Sequence, residues 1–239
     1  MRTTTKALVL SSLKYGDSSL IVRALTESDG LKSYMLKGVL SSRKGKLRPA
    51  YFLPLMHLEI VADHRNKGNL EHLSEVKVAT PYQSLHTEVT KNSVVLFLAE
   101  MLGNSIQEEQ RDQELFSYLE YALQWLDTHR LSPDFHLLFL VNLSKYLGFY
   151  PDTRSKDAPY FDLQEGEFCA SPSLNPMLEG EVLGHFRNFL GTDFGALPIK
   201  AMGKAMRAEL LGKLILYYRL HIHGFREPRS LSVLQTVFG

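Results

Sequence analysis

Near Pro81 the apolar pattern changes period, from about two residues to about 3.6, so no single layer of secondary structure can satisfy both halves of the chain. Before that point the sequence reads as strands. Lys6 to Lys14 is rich in β-formers, and Tyr15-Gly16-Asp17-Ser18 supplies turn residues. Ser19 to Thr26 is apolar on both faces, and Asp29-Gly30 is a hairpin signal ahead of Leu31 to Val39. After a basic stretch from Ser41 to Arg48, Pro49 restarts the chain. Tyr51 to Ala62 is expected to be a longer strand, with Pro54 confining its start to an edge or bulge. Leu70 to Ala79 completes the set. Five strands in eighty residues predict a small closed barrel, because closure removes the edges that an open sheet would expose.

Beyond Pro81 the spacing predicts helices. Ser84 to Ile106 places Val94, Leu98, Met101 and Leu102 on one face. Asp112 is suited to cap a helix running to about Thr128. Pro133 opens a helix through Tyr146 that is apolar nearly all round, which predicts the buried centre of this half. Gly148 and Pro151 stop it. A loop-like region of about 152–172 is expected to hold a hairpin, Tyr160 to Leu163 and Gly166 to Cys169. Further helices are expected over Asn175 to Leu190, about Ile199 to Ile222, and from Ser230. The expected organisation is α+β multidomain: a five-stranded barrel over 1–80, then an α-helical domain over 81–239.

The formal net charge of +1 conceals a division. Residues 1–80 carry 13 Lys and Arg against 7 Asp and Glu, residues 81–199 carry 7 against 17, and residues 200–239 carry 7 against 2. The segments are therefore +6, −10 and +5, and a ligand senses the local potential over a Debye length of about 10 Å rather than the total. The loop from Ser41 to Arg48 is the densest basic feature. Arg43, Lys44, Lys46 and Arg48 stand there with two serines and a glycine, a composition suited to phosphate contacts that need charge more than fixed geometry. Lys32, Lys37, Arg65 and Lys67 extend the same surface, and Tyr15, Tyr34 and Tyr51 are candidate stacking platforms for bases, each competing with a place in the core. Near the C-terminus Lys200, Lys204 and Arg207 fall at i, i+4 and i+7, so a helix through them would present three cations on one face, with Lys213 roughly opposite.

Signals for catalysis are poor. His221 and His223 diverge by about 200° on a helix and cannot share a metal there. Asp152, Asp157 and Asp162 lack the glycine and glutamate of a calcium loop. No nucleophile elbow, zinc-protease helix, phosphate loop or dinucleotide fingerprint is present. The lone Cys169 excludes a disulfide framework and reads as an inert thiol. No apolar run approaches the roughly 18 residues of a membrane span, and the compartment expected is the reducing cytoplasm. The residues alone support a two-domain soluble binding protein, a barrel followed by helices, with nucleic acid as a candidate partner.

The order of these pieces resembles the bacterial recombination mediator family RecO. The resemblance is carried by Ala7-Leu8-Val9-Leu10, Tyr15-Gly16-Asp17-Ser18-Ser19-Leu20-Ile21-Val22, Leu25-Thr26, Asp29-Gly30 and Met35-Leu36-Lys37-Gly38. It continues through Tyr51-Phe52-Leu53-Pro54-Leu55, Leu147-Gly148-Phe149-Tyr150-Pro151, the tail Tyr217 to Phe225, and Ser230 to Leu234. Each motif is loose; their order and spacing over nearly the whole chain make the identification.

The resemblance implies an oligonucleotide-binding (OB-fold) barrel followed by a helical domain, with no enzymatic turnover and no small-molecule substrate, and with a role in DNA repair and homologous recombination. It implies binding of single- and double-stranded DNA, annealing of complementary strands, and engagement of RecR and of the acidic tail of the single-strand-binding protein to load the RecA recombinase. A nucleoid-associated cytoplasmic location follows. The family's Lys-Gly pair maps onto Lys37-Gly38 and its basic loop onto Arg43, Lys44, Lys46 and Arg48. Many relatives carry four zinc ligands, mostly cysteines, in the hairpin. Here Asp152 to Pro172 holds Cys169 alone and no histidine, so no cofactor is expected, with Tyr160, Phe161 and Phe168 supplying the packing instead. Lys200, Lys204 and Arg207 are the candidates for the acidic tail by spacing. The competing reading is a non-catalytic adaptor that binds acidic peptides; an uncharacterised hydrolase has little support.

Overall fold

A computed structural model describes residues 2–41, 47–64, 70–106, 110–199 and 202–238. They divide into two compact units, 1–127 and 128–239. The first therefore takes two helices together with the strands, whereas the change of period alone divides the chain near residue 80.

In the first unit five strands form one antiparallel sheet: β1 (Arg2–Tyr15), β2 (Ser19–Thr26), β3 (Gly30–Leu36), β4 (His57–Asp63) and β5 (His72–Val78), in the order β3-β2-β1-β4-β5. The two edges also meet. The Glu71 N–H donates to the Ser33 carbonyl at 2.7 Å and the Glu71 carbonyl accepts from the Met35 N–H at 3.2 Å, a parallel bridge beside Tyr34. This is the five-stranded OB arrangement expected for the first half.

The central strand β1 is buried from Ala7 to Leu10, as an unbroken apolar run requires when both faces of a strand are covered. Ala7 and Val9 join the barrel core with Val22, Tyr34, Leu36, Phe52, Leu58 and Ile60. Its other face is covered by α1 (Val89–Ser105), which packs on β1. The second helix of this unit, α2 (Gln113–Thr128), starts where Asp112 caps it, the carboxylate accepting the Leu115 N–H at 2.8 Å. Polar ties join helices to barrel: Lys6 to Glu120 at 2.8 Å, and Arg23 to the Gly103 carbonyl at 3.3 Å.

Two expectations here are corrected. The strand foreseen over Tyr51 to Ala62 begins only at His57, because Pro49–Phe52 forms a 3-10 turn and Leu55 takes a φ of 55°, which lifts the chain out of the ladder. The helix foreseen from Ser84 begins at Val89. Residues 83–85 are instead captured by Asp127, whose carboxylate accepts the N–H groups of Gln83, Ser84 and Leu85 at 3.0, 2.7 and 3.2 Å. Burial pushes the Asp127 carboxyl up, but these donors and the Ser84 hydroxyl outweigh it, and the net shift is downward.

In the second unit α3 (Phe135–Tyr146) is the buried centre, with Phe135, Leu137 to Leu140 and Leu143 fully enclosed. Around it stand α4 (Gly180–Phe189), α5 (Lys204–His221) and α6 (Leu231–Phe238). The Tyr218 hydroxyl donates to the Leu140 carbonyl at 2.7 Å, fixing α5 to α3.

The expected hairpin is present as β6 (Tyr160–Asp162) and β7 (Glu167–Cys169), but a third strand, β8 (Met177–Glu179), pairs on the other side of β6. The helix foreseen from Asn175 therefore starts at Gly180. Its first residues are drawn into the sheet by a partner some seventeen positions earlier, as in Phe161 opposite Leu178. Phe161 is the apolar centre, its ring 4.9 Å from those of Phe168 and Phe186 and 5.8 Å from that of Tyr217. Asp162 is the polar one. Its carboxylate accepts from the Gln164 and Glu165 N–H groups at 2.9 and 3.1 Å, the Ser173 hydroxyl at 2.7 Å and the Asn175 amide at 3.0 Å. The turn between β6 and β7 needs glycine at 166: φ is +72° and a Cβ there would meet the Tyr217 hydroxyl at 3.0 Å. Among the described residues no helix is long and apolar enough to cross a membrane.

Candidate nucleic-acid interface

Of the described cations of the barrel, Lys37 stands at the mouth where β3 and β5 approach. Lys37 is exposed just past the end of β3 and lines a hollow of about 380 Å³ with Met35, Leu47, Leu70, Glu71 and His72. Leu47 follows residues 42–46 in the chain, and Leu70 follows residues 65–69. Arg43, Lys44 and Lys46 fall in the first of these segments, Arg65 and Lys67 in the second, and all five lie outside the described residues. Arg48 is described and exposed, one residue ahead of the 3-10 turn, where its carbonyl accepts the Tyr51 N–H at 3.0 Å. Lys32 does not extend this surface, because its place on β3 buries it. The structure thus brings Lys37 and the anchor residues of both basic segments to one hollow.

A buried chain of hydrogen bonds fixes the other anchor of 65–69. His64 joins Asp29 through Nδ1 at 2.8 Å and the Tyr34 hydroxyl through Nε2 at 2.8 Å, and the Ser28 hydroxyl donates to the same Asp29 oxygen at 2.5 Å. Burial raises the Asp29 carboxyl, but the Ser28 and His64 bonds and the Lys32 charge bring it below the ordinary value. Burial, with the charges of Asp29 and Glu71, drives the Tyr34 phenol far up, so Tyr34 stays a neutral donor. This network was illegible in the sequence. Asp29 reads there as a turn residue and nothing local points to His64.

The three tyrosines separate in the structure. Tyr34 is 1% exposed and committed to His64, and Tyr51 packs half-buried against the barrel core. Tyr15 is 58% exposed at the end of β1.

In the second unit Lys204 is exposed as the first residue of α5, and Lys200 lies outside the described residues. Arg207 does not share the exposure of Lys204. It is 7% exposed, its Nε donates to Asp134 at 2.8 Å and its Nη2 to the Met202 carbonyl at 3.0 Å. Asp134 stands at the head of α3 and is itself buried, so the guanidinium neutralises a carboxylate that has left water. Helical spacing could place Arg207 on the helix but could not foresee an acid 73 positions earlier. Lys213 donates to the Met177 carbonyl at 3.2 Å, which holds α5 to β8.

The remaining polar candidates have structural duties. His221 Nε2 lies 2.9 Å from the Leu163 carbonyl, and its ring stacks on Phe149 at 5.2 Å. The Cys169 thiol is pushed up by burial and by the carboxylates of Asp162 and Glu167, which opposes thiolate formation. No three His, Cys, Asp or Glu side chains converge to hold a metal among the described residues. Asp162 could not serve as a ligand without losing the donors that surround it.

Comparison with known proteins covers nearly the whole chain. Residues 1–82 match the family described as "Recombination protein O N terminal" and residues 86–230 match "Recombination protein O C terminal". A DNA repair protein RecO of Christiangramia forsetii is 52% identical over 98% of each chain. RecO proteins of Flavobacterium johnsoniae and Flavobacterium psychrophilum are 44% and 43% identical, each over 100% of both chains.

Proposed function

The chain belongs to the RecO family and acts in DNA repair and recombination, and we propose that it does so as a non-catalytic mediator that binds single- and double-stranded DNA and anneals complementary strands. In this reading it acts with RecR and the single-strand-binding protein to help load the RecA recombinase, in the cytoplasm at the nucleoid. The observation that carries the DNA-binding step is the convergence of Lys37, Leu47 and Leu70 on one barrel hollow, since the last two residues anchor segments bearing five further cations. Two strands repel through their phosphates, and a surface that neutralises both lowers the barrier to pairing.

The test is direct. A fluorescent oligonucleotide titrated at two salt concentrations should bind more weakly at the higher one, and the protein should accelerate pairing of complementary strands. Binding of no oligonucleotide at low salt would refute the proposal and favour the adaptor reading.

For the acidic tail of the single-strand-binding protein, Lys204 is an exposed cation at the start of α5, while the charge of Arg207 is engaged by Asp134. Replacing Lys200 and Lys204 by glutamate should weaken binding of an acidic, Phe-ended peptide. We also propose that the β6–β8 sheet is held without zinc, by the rings around Phe161 and the donors around Asp162. Elemental analysis of purified protein should find no stoichiometric zinc.

A further inference from the structure

We propose that Tyr15, at the tip of the β1–β2 hairpin, is a stacking platform for a base of single-stranded DNA; this rests on the DNA-binding reading above and adds to it a contact that depends on bases rather than phosphates. Past Leu10 the β1 arm of the hairpin leaves the core, while the β2 arm stays in it as far as Leu20 and the ladder continues through the pairs Leu13 with Ile21, Lys14 with Leu20 and Tyr15 with Ser19. Leu13 and Tyr15 alternate onto one face of the strand and are 64% and 58% exposed, two large apolar groups that folding leaves in water.

The tip is held rather than frayed. The Leu40 N–H donates to the Ser18 carbonyl at 2.9 Å, which fastens the turn to the chain just after β3, and Leu40 is itself partly exposed there. A ring on a fixed backbone has few rotamers to lose on binding.

Charge selects the occupant. Lys14, next to last in β1, and Lys37, just past β3, are exposed against Asp17, and the chain leaves Ser41 directly into the sequence that holds Arg43, Lys44 and Lys46. A hairpin that carries an exposed aromatic ring and an exposed lysine suits a strand that offers bases and phosphates alternately. The connection between the first two strands of such barrels is also one of the loops through which they engage oligonucleotides. Of the three tyrosines, Tyr15 alone has its ring this free of the barrel core.

The experiment compares two strands of equal length and charge, an oligo-dT and an abasic analogue, on the full chain. Tyr15→Ala should bind oligo-dT about tenfold more weakly than the unmodified protein and the abasic strand equally well, with the salt slope unchanged. Tyr15→Trp should retain affinity, and its emission should be quenched by oligo-dT beyond the change that Trp125 gives in the unmodified protein. Equal binding of oligo-dT by Tyr15→Ala and the unmodified protein would overturn the proposal, as would an equal loss on both strands or an unquenched Tyr15→Trp. An apolar protein partner at the tip would give the first of these results. If the unmodified protein bound neither strand, the DNA-binding reading itself would fail.

Discussion

At the β1–β2 turn the end of β1 runs out beyond the core and leaves Leu13 and Tyr15 largely in water, whereas at the β6–β7 turn Phe161 is fully enclosed and rings from β7, α4 and α5 close over it. Both are antiparallel hairpins that carry aromatic residues. They differ in where their interactions end. Around β6 the apolar surface is covered by neighbouring rings, and the carboxylate of Asp162 is occupied by four donors from its own unit. Around the tip of β1 the apolar surface is left mostly open by the described residues, and the adjoining Lys14 is exposed. A hairpin that satisfies itself is part of the scaffold, and one that folding leaves unsatisfied is where a ligand adds something.

Substitutions should separate the two along this line. Phe161→Ala should destabilise the second unit by about 3–5 kcal/mol, the range for deleting an enclosed ring, while intact protein at low temperature keeps its salt-dependent DNA binding. Chemical denaturation followed by circular dichroism measures the first, and the oligonucleotide titration the second. Arg207→Ala should cost a similar 3–5 kcal/mol or so, because it strands Asp134 as a buried unpaired charge. A loss below about 1 kcal/mol would mean that Arg207 stands free at the surface.

Acid should find the second unit next. Burial, reinforced by the Arg207 charge, lowers His136 to about 3. A histidine depressed in the folded state binds its proton only on unfolding, so stability should be full above about pH 6.5 and decline by about 1 kcal/mol per pH unit below it. His136→Gln should flatten that part of the profile by one proton, read as the change in unfolding free energy between pH 7 and 5. The smallest effects belong to the tip. Tyr15→Ala and Lys204→Glu should alter stability by no more than about 0.5 kcal/mol, as exposed positions do.

Much of this scaffold was legible locally. Asp29-Gly30 marked a hairpin, Asp112 a helix start and the unbroken apolar run after Phe135 a buried helix, because each signal and its consequence lie within one turn of chain. What the sequence hid was non-local. β8 exists because Tyr160 to Asp162 stands ready to pair with it, Arg207 is buried because Asp134 is, and Ser84 stays out of α1 because Asp127 captures it. The candidate interface divides the same way. Its cations could be counted in the sequence, yet the exposure of Tyr15 and the burial of Tyr34 follow from where the barrel core ends.

The central proposal is that the basic segment between Ser41 and Arg48 binds DNA through its charges. Replacing Arg43, Lys44 and Lys46 together by alanine and plotting log affinity for a single strand against log salt tests it most directly. The expected result is weaker binding at low salt and a slope shallower by about 2, near 0.7 for each phosphate left without its cation. An unchanged slope would contradict it.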